Sequence, residues 1–360
     1  MLDAGGGFPL PTFSTRAWGA APESFPRVQR GLDERFSSAF NSDIVRAILT
    51  PGKAAILYHA GAGRGLAANL VAPVRRHLEN AHWEVIAALP TRAPRHGQEE
   101  LVPHLAGHCD FLVVIAGDGT LREICTGLGN IGVSIPIGLV PTGNANVVAR
   151  DQGIPLEPEH AIALLTAGRI RHLDVGTLRF DTRSKEVSIF LAMVEIGFGA
   201  RVVHLTQRLR NGWLNSLYRR WGDPVYVTAA LGALLSPAER VFRIYADSAA
   251  AAHQHKAAVF ANTRCYAKGW AVAPEARMDD GRLDLVTRRK SGPGVLLRTI
   301  NAARSARRPA PAFSVYSQGQ RFRCESQTPL VAQMDGDPLP ALKWIEVGIV
   351  PGCLRLMTPS

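Results

Sequence analysis

A chain of 360 residues with 46% hydrophobic side chains is too long for one ordinary core and too apolar for a disordered protein, which sets an expectation of two domains. A formal net charge of +11 favours anionic partners (nucleotides, nucleic acid or an anionic membrane surface) without choosing among them. Five widely spaced cysteines with no Cys-x-x-Cys pair speak against a cysteine-built metal site and fit reduced thiols in the cytoplasm.

The first 30 residues are rich in Gly, Pro and Ser and read as a poorly ordered arm, which a short helix over 33–49 extends to residue 50. They lack the basic-then-apolar order of a signal peptide, and no run of about 18 apolar residues follows anywhere, so membrane contact is expected to be peripheral. From Lys53 the pattern predicts strand 54–58, helix 66–80, strand 83–89, helix 98–107, strand 111–115, helix 121–129 and strand 136–140. This alternation specifies an α/β domain over 51–170, its parallel sheet covered on both faces. Beyond about 170 the rhythm changes. Strands are predicted at 173–180, 187–196, 241–245, 257–262, 283–287 and 344–350, with helices at 201–218, 224–235 and 294–305. An antiparallel, sandwich-like β domain over 171–360 follows, whose final strand is free to return to the first domain. The small Ala-rich stretch 249–252 reads as a hairpin tip.

Three Gly-rich loops follow strands of the first domain. Ala116-Gly117-Asp118-Gly119-Thr120-Leu121-Arg122-Glu123 opens a helix, where unpaired N–H groups suit phosphate. Asp118 beside a phosphate makes sense with Mg²⁺ between them, or as an acid orienting a reacting hydroxyl. A plain turn capped by Asp118 or Thr120 is the other reading. Pro141-Thr142-Gly143-Asn144-Ala145-Asn146 offers neutral donors for phosphate or ribose, or is an ordinary strand-to-helix turn. His59-Ala60-Gly61-Ala62-Gly63-Arg64-Gly65 is a weak dinucleotide fingerprint, because its glycines are misspaced and the second strand ends on Leu89-Pro90 instead of an acid. Loops at the carboxyl ends of parallel strands share one crevice, so the three together point to a phosphate site.

In the second half, Ala273-Pro274-Glu275-Ala276-Arg277-Met278-Asp279-Asp280-Gly281-Arg282-Leu283-Asp284 packs aspartates around a turn, and Met334-Asp335-Gly336-Asp337-Pro338 reads equally as a hairpin or an acidic site. Basic and aromatic residues over 201–221 (Arg208, Arg210, Trp213, Tyr218, Arg219, Arg220, Trp221) suit either a membrane interface or an ordinary surface helix. The clusters at Arg219-Arg220, Arg288-Arg289-Lys290 and 304–308 read as solvated faces, with a membrane-facing role as the alternative.

Taken in order and spacing, these five motifs resemble the diacylglycerol kinase catalytic-domain family, which includes sphingosine and ceramide kinases and bacterial soluble lipid kinases. The likeness covers about 53–352. The family's Gly-Gly-Asp-Gly-Thr falls on 116–120, its Pro-x-Gly-Thr-x-Asn on 141–146, its Asn-Pro-x-Ala-Gly-x-Gly on 59–65, its Ala-Pro-to-Leu-Asp segment on 273–284 and its Asp-Gly-Glu on 335–337. The resemblance implies ATP in a cleft between the two domains, lined by Gly63, Thr91, Ala116, Gly117, Asp118, Gly119, Thr120, Leu121, Arg122 and Asn144. It implies Mg²⁺ near Asp280, with the carbonyls of Arg277 and Arg282. It implies Asp337 as general base, with Asp118 and Asp335 beside it in catalysis. A lipid acceptor such as diacylglycerol, and cytoplasmic work at an anionic membrane, come with it. Ala116, Asn144, His59 and Asp337 depart from the family pattern, and the last is one methylene short. A nucleotide- or lipid-binding sensor without catalysis therefore stays open. An NAD kinase-like enzyme would need an Asn-Glu pair, and none occurs. No nucleic-acid-binding motif accompanies the charge. A homodimer is compatible with the sequence, which does not specify one.

Overall fold

The computed structural model describes residues 50–61, 65–180, 187–211, 241–246, 253–265, 270–288, 293–308 and 314–360. The expected arm up to residue 49, helix 224–235, the 249–252 tip, Gly63, Arg289, Lys290 and the stretch from Trp213 to Trp221 lie outside them.

The first half alternates strand and helix. In order come β1 (Lys53–His59), α1 (Leu66–Asn80), β2 (Glu84–Thr91), a π-helical turn (Gly97–Leu101) running into α2 (Val102–Leu105), β3 (Phe111–Ala116), α3 (Asp118–Ile131), β4 (Ile137–Pro141), α4 (Val147–Asp151) and α5 (Pro158–Ala167). β1, β3 and β4 are short apolar runs with buried interiors, as parallel strands covered on both faces must be. α1 lays Ala67, Leu70, Val74 and Leu78 at helical spacing over Ile56 and Val113, with α5 on the same face. α3 lays Leu121, Ile124, Cys125 and Leu128 over Leu57, Leu112 and Val114 on the opposite face. The first part of the expected helix 98–107 is a π turn, only Val102–Leu105 is α-helical, and the helix stops before Ala106. Pro103 has no N–H to give the carbonyl four residues back, and the ladder widens so that Val102 N–H reaches the Gly97 carbonyl.

The second half comprises β5 (Arg169–Phe180), β6 (Ser188–Phe190), β7 (Met193–Ile196), α6 (Phe198–Asn211), β8 (Phe242–Ala246), β9 (His253–His255), β10 (Ala257–Ala261), β11 (Leu283–Arg288), α7 (Pro293–Arg304), β12 (Ser314–Gly319), β13 (Arg321–Leu330), β14 (Ala332–Met334), β15 (Asp337–Pro338) and β16 (Leu342–Thr358). The expected single strand 187–196 is two. β6 belongs to the larger sheet and β7 to the smaller, and the chain crosses between them at Leu191-Ala192.

Among the described residues the larger sheet has ten strands, running β2-β1-β3-β4-β16-β13-β8-β9 with β5 and β6 joined through β16. It is parallel from β2 to β16 and antiparallel beyond. The smaller sheet runs β12-β11-β10-β7-β14-β15, antiparallel throughout. Phe190, Phe242, Phe322 and Val347 from the larger sheet meet Val194, Phe260 and Leu285 from the smaller one, so the second half is a sandwich filled from both inner faces. β16 joins the halves: its first part pairs with β13, Leu356 pairs with Ile137 of β4, and β5 accompanies it on both sides of a bulge.

One contact in this joint is intolerant of a single methyl group. Gly176 of β5 lies opposite Phe190 of β6, and a Cβ there would fall against the fully buried Phe190 ring. Gly176→Ala is expected to cost about 1–3 kcal/mol through overpacking, read as a lower denaturation midpoint at constant slope. An unchanged midpoint would mean the ring can move aside.

Candidate active site

Two of the Gly-rich turns are built against each other. Gly117, extended, is the N-cap of α3 and offers no side chain, so the first-turn N–H groups of the helix have no side-chain cap. A Cβ on Gly119 would have open space around it, so this helix start is accessible. Across from it, Thr142 N–H donates to the Ala116 carbonyl at 3.0 Å. Asn146 takes a left-handed conformation (φ 48°), and its Nδ2 donates to the Gly143 carbonyl at 2.8 Å. Thr142 Oγ1 and Asn146 Oδ1 are buried without a partner among the described residues, the kind of polar atom a nucleotide can satisfy.

Asp118 is the clasp between these turns. Its Oδ2 accepts Val147 N–H at 2.9 Å and its Oδ1 accepts Val148 N–H at 3.1 Å, so it caps α4 and not its own helix. Both oxygens are engaged in holding the loops, which differs from the expectation of a free acid facing metal or hydroxyl.

The other expected nucleotide residues fall into groups. Thr91 is buried at the end of β2, 3.0 Å from His59 Nδ1, so the histidine in the family's asparagine position is tied to the neighbouring strand. Ala116 and Leu121 point into the core and can offer backbone only. Asn144 is exposed, Thr120 half-buried. Arg122 turns away from the helix start toward the second half.

There β14 and β15 form a hairpin whose turn residues Asp335 and Gly336 both have positive φ (48° and 88°), as a tight hairpin requires. Asp335 points inward. Its carboxylate accepts the N–H groups of Leu191, Ala192 and Met193 at 2.8–2.9 Å, stitching the crossing between the two sheets. Burial pushes its pKa up, opposed by the Arg122 guanidinium and the three N–H groups. Asp337 points outward, its side chain 62% exposed. Arg122 joins the two halves: Nη1 donates to the Met334 carbonyl at 3.3 Å and lies 3.9 Å from Asp335 Oδ2, while Nη2 donates to Asp337 Oδ2.

The third acidic element is the turn before β11. Arg282 N–H donates to Asp280 Oδ1 at 3.0 Å, and Arg277 pairs with Asp279, not with Asp280. Beneath it lies Asp174 of β5, unforeseen in the sequence, where its one signal was an acid inside an apolar strand. Its two oxygens each accept an N–H at 2.7 Å, from Gly281 in the turn and from Gly352 in the β16 bulge. Asn262 Nδ2 bridges the carbonyls of Asp174 and Leu191, each at 2.9 Å, connecting this support to the crossing under Asp335. For Mg²⁺ the turn offers Asp280, plus carbonyls, because the neighbouring Asp279 carboxylate is taken by Arg171 and Arg277. Among the described residues no three His, Cys, Asp or Glu side chains gather as a metal cage. Such a donor set suits a hydrated hard cation.

Behind the hairpin, Glu195 of β7 is half-buried under the start of α6, accepting Gly199 N–H at 2.9 Å and facing Gln333. Burial pushes its pKa up, opposed by Gln333, Arg288 and Gly199 N–H. A folded-state pKa above the unfolded one gives stability that is present below the unfolded pKa and lost as pH rises through the folded one. The stability of Glu195→Gln relative to the wild type is therefore expected to improve from acid toward neutral pH. Paired denaturation curves check this, and a pH-independent difference would contradict the burial argument.

The described part of α6 is braced on the sheet by His204, whose Nε2 lies 2.9 Å from the Ala332 carbonyl. No described helix is long and apolar enough to cross a membrane.

Comparison with known proteins agrees with this architecture. Residues 53–178 match the family model of the diacylglycerol kinase catalytic domain, and 192–358 that of the YegS C-terminal NAD kinase beta sandwich-like domain. A Pseudomonas aeruginosa protein named "Probable lipid kinase YegS-like" is 28% identical over 256 residues, covering 71% of this chain and 79% of its own length. A Mycobacterium tuberculosis diacylglycerol kinase is 25% identical over 326 residues, covering 86% and 96%. A crystal structure described as a diacylglycerol kinase from Bacillus anthracis superposes with a TM-score of 0.60 at 17% identity, covering 85% of this chain and 96% of that one. With a Gly-Asp-Gly-Thr helix start in one half facing an Asp-Gly-Asp hairpin in the other, and adjoining family models over both, the chain belongs to the diacylglycerol kinase catalytic-domain family.

Proposed function

We propose that the protein transfers the γ-phosphate of ATP to the hydroxyl of a lipid, diacylglycerol or a related one. The observation that carries this reading is the meeting of Arg122, on the helix whose open start suits phosphate, with Asp337, an exposed acid on the opposite half. ATP phosphates would lie at Gly117, Gly119 and Thr120, beside Thr142, Asn144 and Asn146. The lipid hydroxyl gives its proton to Asp337 as its oxygen forms a bond to the γ-phosphorus. The bond from that phosphorus to the β,γ-bridging oxygen breaks, and its electron pair leaves with ADP. Bound Mg²⁺ would neutralise phosphate charge; a second ion near Asp280, with the Arg277 and Arg282 carbonyls, would steady the turn over Asp174. Asp118 serves by holding the two phosphate turns together, and Asp335 by holding the hairpin.

The acceptor would be met at an anionic membrane surface on the cytoplasmic side, toward which a net charge of +11 is attracted. The test is transfer of ³²P from γ-labelled ATP, with and without Mg²⁺, to mixed micelles of diacylglycerol, monoacylglycerol, ceramide or a sphingoid base. Magnesium-dependent label in one lipid is the expected result. No label in any lipid while ATP still binds would leave a nucleotide-binding sensor.

A further inference from the structure

Arg122 is misplaced for a residue that serves only the nucleotide. It stands just past the first turn of α3, yet its side chain crosses to the second half and is only 16% exposed there. One end of the guanidinium is anchored: Nη1 donates to the Met334 carbonyl and lies 3.9 Å from the buried Asp335 carboxylate. Asp335 is itself fixed by three backbone N–H groups, so the anchor does not depend on a mobile side chain. The other end, Nη2, holds Asp337, whose side chain is otherwise mostly in solvent.

We infer that Arg122 is a positioning residue for the catalytic acid. It holds Asp337 in the direction of the acceptor hydroxyl and sets its distance from the phosphate-binding start of α3. An exposed aspartate at the start of a two-residue strand has several rotamers, and a small error in where its oxygen sits is costly in a proton transfer. The planar guanidinium, with donors diverging from one rigid group, fixes that oxygen relative to Asp335 as a lysine ammonium cannot. The same contact registers the two halves of the protein, because acid and phosphate loop come from opposite sides of it. This role rests on the kinase reading above and goes beyond it, since it assigns Arg122 to the acid and not to ATP.

The experiment measures kcat and KM for lipid phosphorylation, with calorimetric ATP affinity and melting temperature, in Arg122→Ala, Arg122→Lys, Asp337→Ala and the Arg122→Ala/Asp337→Ala double variant. Arg122→Ala is expected to lose about 100-fold in kcat with ATP affinity unchanged. Arg122→Lys, which keeps the charge and is the safer fold, recovers part of the loss. The double variant is no slower than Asp337→Ala alone, because the arginine acts through the acid. Loss of ATP affinity in step with activity, or losses that multiply in the double variant, would overturn the assignment. So would a full kcat in Arg122→Ala, which sinks this role while the active wild type keeps the kinase reading. A wild type that labels no lipid sinks the kinase reading and this role with it.

Discussion

Asp337→Ala is expected to lower kcat for lipid phosphorylation by about 10²–10⁴-fold while ATP affinity and melting temperature hold. The argument rests on where the side chain stands. Asp337 is 62% exposed, and its side chain pairs with Arg122, which keeps the Met334 carbonyl and Asp335 when the acid is removed. Little of the fold depends on it. Asp335, two residues earlier, behaves oppositely: Asp335→Ala strips three buried N–H groups of their acceptor, each worth about 1–3 kcal/mol when left unpaired, so loss of folding is the expected result. Asp118→Ala falls between: it loses the cap that joins the two Gly-rich turns, and a drop in both ATP affinity and rate is expected. Steady-state kinetics with calorimetry separate the three. A near-normal kcat in Asp337→Ala would assign the proton to another group.

Gly143→Ala is expected to abolish nucleotide binding while costing about 1–3 kcal/mol of stability. A Cβ on Gly143 would stand 2.6 Å from the Gly117 Cα and 2.8 Å from Asn146 Oδ1. The converse substitution meets the same wall, with a Cβ on Gly117 at 2.9 Å from the Gly143 Cα. Backbone faces backbone here, so no rotamer change relieves the contact and the two turns must part. Parting them breaks the Thr142-to-Ala116 hydrogen bond and the Asp118 clasp that set the spacing of the two turns. Gly119→Ala is the control: its Cβ has open space, so the fold should tolerate it, and any loss of ATP affinity there reports the ligand. Calorimetric titration with ATP and a thermal melt distinguish the cases. Retained affinity in Gly143→Ala would place the phosphates elsewhere.

Legibility in the sequence followed the range of the interactions. β1, β3 and β4 announced themselves as continuous apolar runs, and helix 66–80 was read to its ends from its apolar stripe. The motifs located the two Gly-rich turns and the acidic hairpin because glycine at a tight turn is a local requirement. Strands β12 and β13 passed unread: Ser314–Gly319 and Arg321–Leu330 are polar enough to look like loop, and pairing with distant partners makes them strands. The division of 187–196 was equally invisible, since Asp335, the residue that fixes the crossing, lies far along the chain. In the site, residue types were legible and directions were not. Nothing local told that Asp118 would cap the next helix, that Arg122 would reach the opposite half, or that Asp174 would support the aspartate turn.

The bent strand β16 sets an order on how this protein is made. The parallel sheet of the first half is paired at Ile137 with Leu356, a residue from the end of the described sequence. During synthesis the first half therefore emerges with β4 paired only to β3 and its other edge open, and it waits for the whole sandwich to be translated. Long-range closure of this kind slows folding and leaves an adhesive edge exposed meanwhile. Nascent chains stalled before residue 342 are expected to engage chaperones and to resist independent folding, although both Gly-rich turns, at 116–120 and 141–146, are already present in them.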